Sequence, residues 1–424
     1  MSNHYIRLLR DNPDFARLWW AQVISLLGDW FNFIVLAALV ADYSDGSGQA
    51  ISVYLLARFL PPLFVSPFAG VLVDRFDRKR LLIISDLLRA GIVPLFLLAN
   101  SPDLLWLIYL LTVLQFAVSA IFEPGRNAIM PALIPREDLV IANTLSSVTW
   151  SVMLAVGAVA GGLVSTGFGT SVALLTDAAT FLLSALLIMG IRVRYRQQVV
   201  EALEDEHADD RSFREGLRYM ARNPSITAIL LVKTILSLGN IDTAIIIFGT
   251  ELFVIGDGGT ISLSLLWSAF GIGAVIGPAV ANRFNDGSIA VMRRLIIAGY
   301  GCVVVGWLLF GSAPTLLFAA LALMVRACGG SINWTYSSII IQKGTRDEYL
   351  GRMFAMDMAG FHLMMVISII LTGQIVDAVG SEHIRVIVLG TGFLSLTTLL
   401  LWMLMVRRLE TRESLETTVA TIGS

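Results

Sequence analysis

Residues 70–82 have the sequence GVLVDRFDRKRLL, a short charged segment between the apolar runs 51–73 and 81–99. Each run has about the length of the roughly 20 apolar residues with which an α-helix crosses a bilayer. A basic turn between two such runs is typical of helices that return through the membrane, because basic residues stay on the cytoplasmic side. The stretch therefore predicts a helical membrane protein.

The same alternation of apolar runs and polar turns continues along all 424 residues, of which 56% are hydrophobic and 15% charged. A soluble domain has about 25% charged residues. The runs do not alternate every second residue, as strands of a membrane barrel do. The sequence predicts an all-α membrane protein with twelve transmembrane helices, near residues 18–41, 51–73, 81–99, 104–122, 141–165, 172–191, 225–248, 262–281, 294–312, 315–340, 353–376 and 384–406.

Lysine and arginine residues are distributed unevenly between the predicted loops. The N-terminal segment, the even-numbered loops and the C-terminal tail hold most of the 30 basic residues. The odd-numbered loops hold none over residues 42–50, 100–103, 165–171, 256–262 and 311–314. By the positive-inside rule, both termini are expected in the cytoplasm.

Matching residues recur at an offset of 211 positions along the chain. Asn12-Pro13 matches Asn223-Pro224, and Gly28 matches Gly239. A repeat of six helices brings both copies into the membrane from the same side, which makes them parallel repeats about an axis along the membrane normal. The fold is therefore predicted as two parallel six-helix repeats.

The longest predicted loop follows the sixth apolar run and marks the boundary between the repeats. An N-terminal six-helix bundle is predicted over residues 1–195, and a C-terminal bundle with a short tail over residues 223–424. Between them, residues 196–222 are predicted as a cytoplasmic linker that contains an acidic stretch and ends in an amphipathic interfacial helix.

The charged turn, with Gly70, Asp74-Arg75 and Arg78-Lys79, resembles the loop signature of the major facilitator superfamily, Gly-x-x-x-Asp-Arg-x-x-Arg-Lys. Gly70 permits close contact between helices, and Asp74 can accept bonds from a helix end or an arginine. Such a charge latch can hold one conformation of a transporter and release in another. The alternative is a basic turn that only anchors topology. The latch candidates are Gly70, Asp74, Arg75, Arg78, Glu123 and Arg126.

Several further stretches resemble the branch of that superfamily that holds the enterobactin exporter and macrolide-efflux-like proteins. Among them are Leu27–Phe31, Arg58–Pro62 and Phe122–Arg126. The resemblance implies the major facilitator fold in a bacterial inner membrane, alternating access, and export of an amphipathic compound against protons. Ala160 stands where antiporters of the family often carry a Gly-Pro pair, which leaves the direction of transport open.

Two aspartates inside predicted cavity-lining helices are candidates for proton coupling. Asp29 lies about 13 residues into the first helix, or roughly 20 Å at 1.5 Å per residue, which is near mid-membrane. A carboxyl group in a desolvated site can exist in its neutral form, which suits a proton carrier. The alternative is a structural hydrogen-bonding aspartate. The repeat copy of Asp29 is Asn240, which cannot titrate, so a single-proton role would rest on the first half of the chain. Asp242, near the outer end of the seventh helix, is the rival candidate.

Two cations, Lys233 and Arg326, lie inside the seventh and tenth predicted helices. They favour an anionic or polyhydroxylated substrate group, or else they pair with Asp29, Asp242 or Glu123 as gates. Arg58, Asp86, Arg89 and Asp177 lie on more peripheral helices and are predicted to form interhelical ion pairs. The candidates for the substrate cavity are Lys233, Arg326, Asn240, Asn333, Trp334 and Gln115.

The sequence lacks the motifs of several other protein classes. It has no Gly-x-x-x-x-Gly-Lys-Ser/Thr motif for an ATP motor, and its four histidines have no metal-ligand spacing. We therefore expect no enzymatic activity, cofactor or metal, and a net charge of −2 gives no reason to expect nucleic-acid binding. The expected partners are a small-molecule substrate, protons or sodium, and the lipid bilayer, with the protein as a monomer.

Three functions remain compatible with these patterns. The first is a secondary active transporter for proton-coupled efflux of a drug-like or siderophore-like compound, in which residues 1–195 rock against residues 223–424. The second is a lipid or lysolipid flippase on the same scaffold. The third is a membrane receptor or assembly partner without transport activity, which would use the acidic loop residues 201–210.

Overall fold

The computed structural model describes residues 2–135, 138–192, 213–239 and 241–422. Over these residues the chain is about 90% helical and contains no strand. Twelve of its helical segments are long and apolar enough to cross a membrane. The predicted all-α fold with twelve transmembrane helices is therefore confirmed.

The helices follow one another with short connections. The α-helices of the described residues are α1 (Ser2–Asp11), α2 (Pro13–Tyr43), α3 (Gly48–Arg75), α4 (Arg78–Ile92), α5 (Leu105–Ile129), α6 (Leu139–Phe168), α7 (Thr170–Met189), α8 (Phe213–Arg222), α9 (Pro224–Leu236), α10 (Ile241–Ile247), α11 (Thr260–Ala281), α12 (Ile289–Gly311), α13 (Leu316–Gly344), α14 (Asp347–Val379) and α15 (Ile384–Ile422). The seventh crossing consists of α9 and α10 with a break between them, where Gly239 has a φ of 72°. A glycine adopts this left-handed conformation at little cost.

Helices α2 and α9 begin in the same way, as the matched Asn-Pro pairs predict. Proline stands at the first turn of both helices, where its missing N–H leaves no hydrogen bond unmade. Asn12 has φ −124° and ψ 78°, and Asn223 has φ −123° and ψ 75°. Each asparagine donates from Nδ2 to the carbonyl oxygen four residues earlier, on Leu8 and Tyr219. The two copies thus share their local backbone geometry at this point.

The helices form two compact units. Unit 1 consists of Met1–Gln198, Ile241–Gly271 and Ile369–Ile384, and unit 2 consists of Val199–Asn240, Ile272–Ser368 and Arg385–Ser424. The predicted bundle boundaries at residues 195 and 223 stay a prediction. The predicted linker residues 196–212 lie outside the described part of the chain, whereas α8 forms a helix where an amphipathic one was expected.

In unit 1, α2 packs against α6 and α7, and α4 packs against α5 and α7. The carboxylate of Asp377 also accepts hydrogen bonds from the N-terminus of α3. Asp377 Oδ1 accepts the N–H of Gly48 at 2.7 Å, and its Oδ2 accepts the N–H of Gln49 at 3.1 Å. The first N–H groups of a helix have no partner within the helix, so an acidic group there satisfies them and complements the helix dipole.

In unit 2, α13 packs closely against α12 and also against α9. Glycines make the close approach possible, because a Cβ on Gly306 would meet the backbone of Arg326 and one on Gly329 would meet Gly299 O. The Tyr300 hydroxyl donates to Val232 O at 2.9 Å and so ties α12 to α9. This packing fixes the faces that α9 and α13 present to each other.

Candidate functional site

Five ionisable side chains come within electrostatic reach of one another inside unit 1. They are Asp29 on α2, Arg58 on α3, Asp86 and Arg89 on α4, and Asp177 on α7, and we call them the aspartate–arginine cluster. Their helices are apolar and long enough to cross a membrane, where ionisable groups are costly and usually functional or paired. The cluster is therefore the first candidate for a functional site.

Asp86 and Arg89 form the one tight ion pair of this cluster, and both are buried. They are three residues apart on α4, which places both on one helix face. The Ser184 hydroxyl on α7 donates to Asp86 Oδ2 at 2.6 Å, and the guanidinium lies over the rings of Phe122 (4.8 Å) and Phe181 (4.2 Å). The prediction of an interhelical ion pair was wrong for these two residues: the pair is within α4, and Ser184 makes the link to α7.

Arg58 is held by aromatic rings. Its guanidinium carbon lies 4.6 Å from the ring centroid of Phe33 and 4.4 Å from that of Phe116. Such cation–π contacts stabilise a partly desolvated guanidinium. Arg58 also acts electrostatically on Asp29 and Asp177, so its charge is shared between two carboxylates.

Asp177 and Asp29 differ in their exposure. Asp177 is 0% exposed, whereas Asp29 is partly buried. Gly28 of α2 lies directly against α7, since a Cβ at this position would meet Asp177 Oδ1 and Thr180 Oγ1. Glycine at position 28 therefore lets α2 approach α7 and brings the neighbouring Asp29 close to Asp177.

Gln115, one of the predicted cavity residues, lies in the same unit. It is 1% exposed, and its Oε1 accepts a hydrogen bond from Asn32 Nδ2 at 3.5 Å. The Asn32 amide is also a polar neighbour of Asp177. The structure thus brings Gln115 near the aspartate–arginine cluster, through Asn32. Asp242, the rival candidate for proton coupling, is partly buried in the first turn of α10.

Unit 2 contains a buried ion pair that the sequence reasoning missed. Lys233 Nζ lies 2.5 Å from Asp357 Oδ2, with side-chain exposures of 1% and 0%. The same Nζ donates to Ser338 Oγ at 2.8 Å and lies 4.5 Å from the ring centroid of Trp334. The sequence left two roles open for Lys233, contact with a substrate or pairing with Asp29, Asp242 or Glu123 as a gate, and in the structure Lys233 pairs with Asp357 on α14. The signal that could have indicated this pair was Asp357 itself, an acidic residue within the predicted apolar run 353–376.

The other predicted cavity residues of unit 2 lie in different surroundings. Arg326 is 7% exposed and its guanidinium lies 5.4 Å from the ring centroid of Trp307. Asn333 is 0% exposed and packs against Gly299 of α12. Trp334 is 38% exposed and is the most accessible of the three. Asn240 lies outside the described residues.

The predicted latch is only partly described. Arg126 is buried, and it donates to Gln22 Oε1 at 3.0 Å, Ser146 Oγ at 2.8 Å and Glu123 Oε2 at 2.8 Å. It thereby ties α5 to α2 and α6. Side chains at positions 70 and 74 lie outside the described part, so their contact with Glu123 and Arg126 stays a prediction.

The two basic latch residues sit at the turn between α3 and α4. Arg75 is exposed and Arg78 is partly buried. Next to them, Lys79 Nζ donates to Met189 O at 2.9 Å and to Ile191 O at 2.7 Å. These bonds compensate the free carbonyl groups at the C-terminus of α7, as basic side chains commonly do.

Twelve helices long and apolar enough to cross a membrane, with ionisable side chains buried inside each unit, are typical of membrane transporters. The sequence profile of the Major Facilitator Superfamily matches residues 18–356. The chain belongs to this superfamily, whose members are membrane transporters and not enzymes.

Among its relatives, the chain is 25% identical to macrolide efflux protein A of Streptococcus pyogenes, over 87% of this chain and 91% of the relative. It is 27% identical to the putative bacilysin exporter of Bacillus amyloliquefaciens, over 86% of this chain and 89% of the relative. The resemblance to the macrolide-efflux-like branch is confirmed.

Solved structures share the fold. A mutant of the nucleoside transporter NupG has a TM-score of 0.73 at 13% identity, covering 92% of this chain and 99% of that one. A bacterial homologue of the human lysosomal transporter Spinster has a TM-score of 0.71 at 14% identity, covering 93% and 97%. At this identity the likeness concerns the fold alone.

Proposed function

We propose that this protein is a secondary active transporter that exports a small amphipathic compound, of drug or siderophore type, in exchange for protons. The observation that carries the proposal is its kinship with efflux-named proteins over nearly the whole chain: a macrolide efflux protein and a bacilysin exporter match 87% and 86% of it. Similarity over most of a transporter fold supports a shared direction of transport and a shared kind of substrate.

Proton coupling is supported by the aspartate–arginine cluster. A carboxyl group that moves between a desolvated and a hydrated setting binds and releases a proton, because desolvation disfavours its charged form. Asp29 lies in the first crossing, within the charge fields of Arg58 and Arg89, and is only partly buried. Protonation of Asp29 would remove one negative charge from the cluster and shift the balance between two conformations.

Alternating access is the mechanism that fits this coupling. The substrate site would open to one side of the membrane when Asp29 carries a proton and to the other side when it does not. In unit 2, the buried pair Lys233–Asp357 supports a structural or gating role for Lys233, because its charge is already neutralised. Trp334, beside Lys233 and 38% exposed, is the proposed aromatic contact for an amphipathic substrate.

The direct test uses inverted membrane vesicles that contain the full chain and hold a pH gradient. Siderophores, macrolides, dyes and lysolipids are added one at a time, and the gradient is followed with a pH-sensitive dye. At least one compound is expected to collapse the gradient with the wild type and not with Asp29→Asn. Asp103→Asn, at an exposed position in the 3₁₀ turn before α5, is the matched control and should behave as the wild type. If Asp29→Asn collapses the pH gradient as the wild type does, Asp29 is not the proton-coupling residue.

The orientation and location are part of the same proposal. We place the protein as a monomer in a bacterial inner membrane with both termini in the cytoplasm, supported by the excess of basic residues in the even-numbered loops. Reporter fusions test this: a C-terminal fusion to a reporter active only in the cytoplasm should be active. If a C-terminal reporter that is active only in the periplasm shows activity, the orientation is the opposite of the one proposed.

A further inference from the structure

Asp177 has an unusual setting for a carboxylate. It is 0% exposed, and among the described residues no donor lies within hydrogen-bond distance of either carboxylate oxygen, although the Asn32 amide is a polar neighbour that favours the charged form. Thr180 Oγ1 donates to the main-chain oxygen of Asp177 at 2.6 Å, and Asn32 Nδ2 also donates to Gln115 Oε1 at 3.5 Å. Buried polar groups are nearly always hydrogen-bonded, so an exception needs an explanation.

Three other helices carry the charged groups that act on Asp177. Asp29 comes from α2, Arg58 from α3 and Arg89 from α4, and Asp86 joins the cluster through Arg89 and Asp29. The other segments that pack against α7 are α6 and the 3₁₀ segment Val93–Leu98, and neither has an ionisable residue in its sequence. Among the described residues, the charges that act on Asp177 therefore belong to this cluster.

The cluster is not neutral when every member is charged, because two arginines face three aspartates. Arg89 is committed to Asp86, on its own helix and within direct bonding distance. Arg89 nevertheless also acts on Asp29 and Asp177, and more strongly than Arg58, which lies between two aromatic rings, so two cations are shared among three carboxylates. A buried charge without a compensating partner is strongly unfavourable, even after the protein relaxes around it. One bound proton makes the cluster neutral.

We propose that Asp177 and Asp29 share one exchangeable proton, with Asp177 as the buried store and Asp29 as the partly exposed group through which the proton enters and leaves. The inference rests on the proposed proton coupling and adds Asp177 to it. In the transfer, the O–H bond on Asp177 breaks as one forms on a carboxylate oxygen of Asp29, which then gives the proton to water. Two interacting carboxyls of this kind titrate as a pair.

The close contact between Gly28 and Asp177 brings the two carboxyl groups that exchange the proton near each other. Because a Cβ at position 28 would meet Asp177 Oδ1, the backbone that carries Asp29 lies against the carboxylate of Asp177. A change in the packing of α2 on α7 would therefore change the separation of the two carboxyl groups. This connects a conformational step of the helices to the movement of the proton.

The first test uses the wild type alone: purified full-length protein in lipid nanodiscs, followed by infrared difference spectroscopy during a pH titration. A protonated carboxyl group has a carbonyl stretch separate from those of the peptide groups. We expect such a band to be present when the cluster holds its proton, to shift in heavy water, and to disappear as the pH is raised. Absence of any protonated carboxyl band at every pH at which the protein is folded would overturn the inference.

Variants then assign the band. Asp177→Asn should lose it and bind one proton fewer, and Asp29→Asn should move the pH at which it disappears, because the two groups interact. Asp103→Asn should leave the band unchanged. A band retained in folded Asp177→Asn would overturn the assignment. If Asp177→Asn does not fold, the response to Asp29→Asn decides: a shifted titration supports the shared proton, and an unchanged one overturns it.

Failure of this inference is distinguishable from failure of the proposed function. If gradient-driven transport is unchanged in Asp177→Asn, Asp177 is not the proton store. The proposal of proton-coupled export is not affected by that result. A band that behaves as expected, in a protein that collapses the pH gradient with none of the compounds, would support the shared proton and contradict the proposed export.

Discussion

Lys233 Nζ lies 2.5 Å from Asp357 Oδ2, and both side chains are buried inside unit 2. The removal of one partner leaves the other as an uncompensated buried charge, which destabilises a protein by ~3–5 kcal/mol. We expect Lys233→Ala to lower the unfolding free energy in mixed micelles by about that amount. A double variant, Lys233→Met with Asp357→Leu, should recover most of the loss.

The matched control for this pair is Lys343→Ala, because Lys343 is an exposed lysine of α13 that donates to Gly287 O. Surface substitutions of this kind usually change stability by less than about 0.5 kcal/mol. A loss in Lys233→Ala no larger than in Lys343→Ala would contradict the importance of the pair. Failure of the double variant to recover stability would assign a further role to one of the two charges.

Gly28 is the point where α2 meets α7. Gly28→Ala is expected to destabilise unit 1 by roughly 1–3 kcal/mol, the usual cost of overpacking, because its Cβ would meet Asp177 Oδ1 and Thr180 Oγ1. Gly91→Ala in α4 is the control, since no atom lies within 4 Å of a Cβ built there. Thermal unfolding of the two variants side by side measures the difference. Equal unfolding temperatures would show that α2 and α7 are not in tight contact.

The hydroxyl of Ser184 links α7 to the ion pair on α4. Ser184→Ala should cost about 1–3 kcal/mol, because it removes a hydrogen bond to a charged and buried carboxylate. Thr176→Ala on the same helix should cost far less, because the Thr176 hydroxyl donates to Val172 O within its own helix. Unfolding free energies measured in one detergent decide the matter, and a larger loss for Thr176→Ala would contradict the role of Ser184.

Asp377 caps α3 through the N–H groups of Gly48 and Gln49. Asp377→Ala should lower stability by about 0.5–2 kcal/mol, the range for loss of a helix N-cap. Glu382→Ala, at an exposed site in the following turn, provides the comparison. Faster amide hydrogen exchange at residues 48–51 in Asp377→Ala is the specific signature. Unchanged exchange there would show that the cap does not hold the first turn of α3.

The helices were predictable because the bilayer imposes them. Any segment that crosses hydrocarbon must satisfy its own backbone hydrogen bonds, so a run of about 20 apolar residues determines a helix without knowledge of its neighbours. The exception is the seventh crossing, predicted as one run over residues 225–248 and found as α9 and α10. The signal was present in Gly239, whose positive φ requires the conformational freedom of glycine.

The partners of the intramembrane charges were not predictable in the same way. Which side chain meets which depends on the rotation of each helix about its own axis, and hydropathy does not fix that rotation. For Lys233 the sequence offered either a substrate contact or pairing with Asp29, Asp242 or Glu123, and its partner in the structure is Asp357. Asp177 was expected in an ion pair and lies instead in a cluster with an excess of carboxylates. The presence of the charges was a reliable signal, while their pairing required the structure.

The measurement that tests proton-coupled export most directly is accumulation of the panel compounds in inverted vesicles before and after addition of a protonophore, with a sodium gradient maintained throughout. We predict that at least one compound accumulates, that the protonophore abolishes this accumulation, and that Asp29→Asn abolishes it without a protonophore. Accumulation that continues after the proton gradient is gone, or that is normal in Asp29→Asn, would contradict the account.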